Sequence, residues 1–192
     1  MGLPLSKYCR ISTEWQEVNI PLKDFSDTGR YWDEPSQSFK VGKLQWDDIA
    51  EVTFDISPTE SDKHIVIYVD NLKIIPEYKT TKLPVKEITK TFVLFDEKLG
   101  EGISLAHYPA GSSDFTITER DAHSGKKSLN AVLDPHKYSG VEIMSSESYS
   151  LEKIKDEGGI EVWLKGTVNT PEFYIGLVDS RADGKPVVSA VS

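Results

Sequence analysis

The feature that most constrains this chain is a period-two alternation of apolar and polar residues that returns in six separate segments. Val18, Ile20 and Leu22 share one face, with Gln16, Glu17 and Asn19 around them. Ala50, Val52, Phe54 and Ile56 alternate with Glu51, Thr53 and Asp55. Ile65, Ile67 and Val69 form a third inward set, and Phe115 and Ile117 alternate with Thr116 and Thr118. Ile160, Val162 and Leu164 alternate with Glu161, Trp163 and Lys165; Phe173, Ile175 and Leu177 alternate with Tyr174, Gly176 and Val178. Successive side chains of a strand point to opposite faces, so each segment reads as a strand with one buried side. Turn signals separate them at Asp27-Thr-Gly29, Ser57-Pro58, Ser124-Gly125, Ser139-Gly140, Gly158-Gly159 and Asp183-Gly184. Helical periodicity is weak, with short turns near Trp46–Ile49 and Leu151–Asp156. The pattern predicts an all-β sandwich of two antiparallel sheets.

At 192 residues and 38% hydrophobic content, the chain can bury the core of one large all-β domain. Residues 76–91 are polar and punctuated by Pro76 and Pro84, and they read as a connector. The flanking segments, 1–75 and 92–192, are each too short for a whole sandwich, so we expect a single domain built from both. No run of 18 apolar residues is present to span a membrane. The start, Met1-Gly-Leu-Pro-Leu5, has neither the basic region nor the apolar run of a signal peptide. A net charge of −9 argues against nucleic acid and anionic membranes, which call for basic patches. The single cysteine, Cys9, has no partner for an internal disulfide and reads as a packed or partly exposed thiol.

The chain carries no nucleophile elbow, no His-Glu-x-x-His, no phosphate-binding Gly-rich loop and no Cys-x-x-Cys. Glycoside hydrolysis needs two carboxylates at a set separation, whereas the adjacent pairs Asp47-Asp48 and Asp96-Glu97 would point to opposite faces of a strand. We therefore expect no catalysis.

Two groups of motifs carry a family resemblance. The first is Trp15-x-x-Val18-x-Ile20-Pro21-x-x-x-Phe25, then Leu44-x-Trp46-x-x-Ile49-x-x-Val52-x-Phe54, ending in Val69-Asp70-Asn71-Leu72-x-Ile74. It resembles the closing half of family-11 carbohydrate-binding modules and related jelly rolls. The second is Leu94-Phe95-Asp96-Glu97, Tyr108, His123-Ser-Gly-Lys-Lys-Ser-Leu129 and the strand after Tyr138. It resembles the opening half of the same modules. The halves stand here in reversed order. Three readings follow: a circular permutant, a piece spanning two tandem repeats that closes on itself or exchanges halves in a dimer, or an unfamiliar β-sandwich.

The resemblance implies non-catalytic binding of a β-glucan-type polysaccharide, in a parent protein that is secreted and carries a catalytic domain. The alternative is a jelly roll used for structure or protein contact. Sugar rings present apolar C–H faces to aromatic side chains, while acids, amides and Arg satisfy their hydroxyls. The expected ligand-binding residues are Tyr31 and Trp32, taken as lying in a polar turn, with Arg30 and Asp33 beside them, then Tyr108, Tyr138, Tyr174 and Asp179. Trp15 and Trp46 are expected to pack, and Trp163 to face the opposite sheet surface. Jelly-roll modules also hold a structural Ca²⁺. The resemblance offers Asp70, Asp96, Glu97 and Asp121 as its ligands, with backbone carbonyls near Ser124–Lys126.

Overall fold

The computed structural model describes residues 2–58, 64–76, 91–167, 172–180 and 187–189. Its strands, in chain order, are β1 (Leu3–Pro4), β2 (Gln16–Pro21), β3 (Thr28–Asp33), β4 (Ser38–Lys43), β5 (Ile49–Ile56), β6 (Ile65–Ile75), β7 (Phe92–Asp96), β8 (Lys98–Leu99), β9 (Ile103–Tyr108), β10 (Asp114–Thr118), β11 (Ser128–Leu133), β12 (Ser139–Tyr149), β13 (Gly159–Gly166), β14 (Phe173–Asp179) and β15 (Val188–Ser189). One sheet runs β4-β3-β15-β14-β5-β12-β9, with β1 also on β14. The other runs β10-β11-β6-β13-β2, with β7 on β6 and β8 on β7. The architecture is the all-β sandwich that the alternation predicts, and each of the six alternating segments lies on a strand. The expected turns at Trp46 and at Leu151–Asp156 are tight and non-helical. Most of the connector (77–90) and the Asp183-Gly184 turn lie outside the described residues.

The two segments of the chain interleave. In the first sheet β5 lies between β14 and β12, and in the second β6 lies between β13 and the pair β11 and β7. Core residues of β5 and β6 therefore pack beside strands of the segment that follows the connector. Val52, Phe54 and Ile56 of β5 meet the core beside Val141, Ile143, Ile175 and Leu177. Val18, Ile20, Ile67, Val69, Ile160, Val162 and Leu164 close it from the second sheet. Each such side chain contributes about 1.5–3 kcal/mol by leaving water.

Two strand positions are shared by two segments. Along one edge of β6, β11 pairs with Ile65–Val69 and β7 with Leu72–Ile74. Asn71 adopts φ 51° at the junction, a left-handed conformation that Asn tolerates. Along one edge of β14, Val188 of β15 stands opposite Val178, and Leu3 of β1 stands opposite Ile175.

One local expectation is corrected. Thr28–Asp33 is a strand and not a polar turn: β3 pairs with β4 on one side and β15 on the other. Its inner positions are Gly29, Tyr31 and Asp33, which hide the apolar half of the pattern.

We expect Phe54→Ala, at a position 1% exposed, to cost about 3–5 kcal/mol in denaturant unfolding. Val41→Ala, at a position 74% exposed, should stay within about 0.5 kcal/mol of the parent.

Candidate functional site

The outer face of the first sheet is where alternation sends the residues that the core does not take. Register puts Arg30 opposite Val41 and Trp32 opposite Phe39, so these four share a face of the β3–β4 hairpin. Val188 and Val178 continue that face, followed by Glu51, Thr53 and Asp55 of β5. Gly140 and Glu142 of β12 and Tyr108 of β9 complete it. A cavity of about 560 Å³ opens here, lined by Arg30, Phe39, Glu51, Thr53, Asp55, Tyr108, Tyr138, Glu142, Val178 and Val188. Its walls are aromatic, and its floor sets Val178 and Val188 beside Glu51, Thr53, Asp55 and Glu142. Six large hydrophobic residues are exposed among those described, and four belong to this face: Trp32 (40%), Phe39 (66%), Val41 (74%) and Tyr138 (43%). Exposed apolar surface gathered around a concavity marks a binding face.

The tyrosine wall is fixed by one carboxylate. Asp55 is 1% exposed. Its Oδ1 accepts the Tyr108 hydroxyl, and its Oδ2 accepts the Tyr138 hydroxyl at 3.0 Å and the Thr53 Oγ1 at 3.4 Å. The two rings stack with centroids 5.9 Å apart and planes 25° from parallel. Burial pushes the Asp55 carboxyl upward, against the lowering effect of these hydrogen bonds. Burial, and then the Asp55 charge, raise both tyrosine hydroxyls, so they remain protonated donors. Only Gly fits at 140: a Cβ there would collide with Asp55 Oδ1 and the Tyr108 ring end.

Glu51 and Glu142 complete the floor. Desolvation, reinforced by the neighbouring Glu142, pushes Glu51 up to about 7. Glu142 is raised by burial and by Asp55. Arg30 is the cationic group in the lining.

The structure brings together Arg30, Trp32, Tyr108 and Tyr138 of the residues expected to bind. Tyr31 sits on the other side of β3 and packs against the core. Tyr174 shares the outer side of β14, beside Pro4 and Asp55, but does not line the cavity. Asp33 is buried; it accepts Ser36 N at 3.3 Å and Ser36 Oγ at 2.6 Å, and pairs with Lys40 at 2.6 Å. Asp179 is buried, with Gln45 N at 2.9 Å and Val187 N at 2.8 Å. Both acids position backbone and do not face the cavity. The expectation passed over Phe39, Glu51, Thr53, Asp55, Glu142, Val178 and Val188. The signal was present for Glu51, Thr53 and Asp55, which alternate with three core residues.

Trp46 is core and donates Nε1–H to Asp27 at 2.7 Å. Trp15 and Trp163 lie half-buried, each against His123, with the Trp163 ring stacked on it at 3.5 Å. Cys9 is half-buried, and burial raises its thiol.

The four acids offered for a cation do not converge. Asp70 accepts N–H from Asn71, His123 and Ser124 at 2.7, 2.9 and 3.2 Å. Glu97 Oε1 accepts N–H from Lys126 and Lys127 at 2.7 and 3.2 Å, over a Gly125 whose Cβ would strike it. Asp121 takes Trp15 Nε1–H at 3.0 Å and Lys165 at 2.6 Å, and Asp96 is exposed. Among the described residues no three His, Cys, Asp or Glu side chains gather as a metal site. Both oxygens of Asp70 and Oε1 of Glu97 accept backbone N–H groups, those of loop 123–127 clamping it to the sheet.

Residues 1–76 match the family model for carbohydrate binding domain 30. This is a non-catalytic, carbohydrate-binding family, and a different one from the family 11 of the sequence resemblance. Comparisons with curated proteins and with solved structures found no match.

Two outcomes follow from this site. A carboxyl raised from 4.5 to about 7 holds a proton in the folded chain that the unfolded chain has lost. Stability therefore falls as pH rises through that window and levels above it. Glu51→Gln should flatten this fall, read as melting temperature against pH; parallel curves for parent and variant would contradict it. Gly140→Ala should cost about 1–3 kcal/mol by displacing the Asp55–Tyr108 pair, measured by denaturant unfolding.

Proposed function

We propose that this domain binds a β-glucan-type polysaccharide, without catalysis, in the groove on the outer face of the first sheet. The observation that carries the reading is the gathering of exposed Trp32, Phe39, Val41 and Tyr138 around a floor of carboxyl groups. Carbohydrate binding in general has separate support from the match over residues 1–76. A glycan chain crossing the strands would rest C–H faces on the β3–β4 wall and on the Tyr108–Tyr138 wall. Its hydroxyls would donate to Glu51 and Glu142 and accept from Arg30. Each contact is small and loss of chain freedom opposes binding, so affinity should be micromolar or weaker. The parent protein of this reading is secreted and uses the domain to hold a catalytic neighbour near its substrate.

The reversed order of the two halves belongs to the same proposal. In its support, β15 and β1 lie along one edge of β14 in a single register. Three positions beyond Val188, opposite Val178, comes the place opposite Ile175, where Leu3 stands. One strand position is thus filled from two segments, as in a permuted sheet, and a second copy could fill half of it.

The test is affinity electrophoresis against barley β-glucan, xyloglucan, xylan, mannan and laminarin. We expect retardation by a neutral β-glucan. Trp32→Ala should weaken it about tenfold, the loss of one stacking contact of roughly 1.4 kcal/mol, while melting temperature changes little; Tyr138→Ala should weaken it as much and also lower the melting temperature, because it takes one donor from buried Asp55. Retardation by none of the five would favour a structural or protein-contact role.

A further inference from the structure

Glu51 on β5 and Glu142 on β12 reach into the groove from adjacent strands. Both are half-buried, and neither has a hydrogen-bond or ion-pair partner among the described residues. Partly buried carboxyl groups without donors are unfavourable in the free protein. The third acid of the lining, Asp55, already has its oxygens on Tyr108, Tyr138 and Thr53. One guanidinium, Arg30, faces these three acids, from an exposed position on the far wall. Once its acids are ionised, the lining carries more negative than positive groups, with Glu51 and Glu142 repelling each other across adjacent strands.

We infer that Glu51 and Glu142 make the groove select its ligand by charge: a neutral glycan enters, and the same backbone bearing carboxylates is turned away. This rests on the glycan-binding reading above, because the cavity and its aromatic walls define the site and the two acids decide what it refuses. A hydroxyl both donates and accepts, so a neutral sugar supplies the missing donors. An ionised carboxylate only accepts, so where it replaces a hydroxyl beside the two glutamates it removes that donor and adds a third charge to a poorly solvated pair. Asp55 is not the discriminating group, since its oxygens are turned to the tyrosine hydroxyls.

Hydroxyethyl cellulose and carboxymethyl cellulose share one glucan backbone and differ in charge. At about pH 8, where Glu51 is ionised, the protein should be retarded by the neutral polymer and bind the anionic one at least about tenfold more weakly. In Glu51→Gln/Glu142→Gln the ratio of the two affinities should move close to one. Glutamine keeps the shape, and a melting curve confirms the fold; Glu142→Gln alone should move the ratio part of the way. High salt should narrow the ratio for the unmodified protein, because it screens the repulsion. Equal binding of both polymers by the unmodified protein, or an unchanged ratio in the folded double variant, would overturn charge selection and leave glycan binding standing. Failure of both polymers to bind, alongside failure of the neutral glucan panel, would overturn the glycan reading and this inference with it.

Discussion

Strand β5 does two jobs with eight residues. Its inner side inserts Val52, Phe54 and Ile56 into the core; its outer side presents Glu51, Thr53 and Asp55 to the groove. The period-two geometry of a strand makes these sets inseparable: a slip of one residue would bury three polar groups and expose three apolar ones. Register is held from both sides, by β14 and by β12. Both neighbours come from the segment that follows the connector. The groove floor is therefore assembled from both segments.

Above that floor, a polar network does the work of positioning. Asp55 is costly to bury, and three hydroxyl donors offset the cost. The return is rigidity: two aromatic rings are held nearly parallel at the cavity edge before a ligand arrives, so less side-chain freedom remains to be lost on binding. The other wall works differently. Trp32 and Phe39 contact edge-on at 5.1 Å and 71°, with no polar anchor among the described contacts of either ring, so packing alone sets their place.

Sequence patterning was informative wherever one side of a strand was uniformly apolar. That condition held for β2, β5, β6, β10, β13 and β14, and it made the sandwich legible. It failed at β3, where Gly29, Tyr31 and Asp33 occupy the inner side and give no apolar signal. Tyr31 and Trp32 then looked equivalent, although one packs inward and the other faces the groove. Asp33 is expected as a ligand group because it follows Tyr31 and Trp32, and Asp179 because its strand should line the concave face. Their partners include the Ser36 N–H and hydroxyl and Lys40 for Asp33, and the N–H groups of Gln45 and Val187 for Asp179, and such pairing depends on chain paths that no spacing rule encodes. Glu51, Asp55 and Glu142 show the converse. Alternation fixed which way the β5 acids point, but their meeting Glu142 required the β5–β12 pairing across the sequence.

The β3–β4 hairpin joins the rest of its sheet through β15, whose two residues pair with Arg30 and Gly29 on one side and Val178 on the other. Leu44 N to Asp27 O at 2.8 Å and Val187 N to Asp179 at 2.8 Å pin its base. The wall bearing Trp32 and Phe39 is thus attached through a very short ladder, whereas the tyrosine wall stands on the long β12–β9 and β12–β5 pairings. Short ladders open at lower free energy than long ones. One wall of the groove thus stands on long ladders and the other on a short one braced by the core packing of Tyr31, and amide exchange should be faster along β15 than along β12.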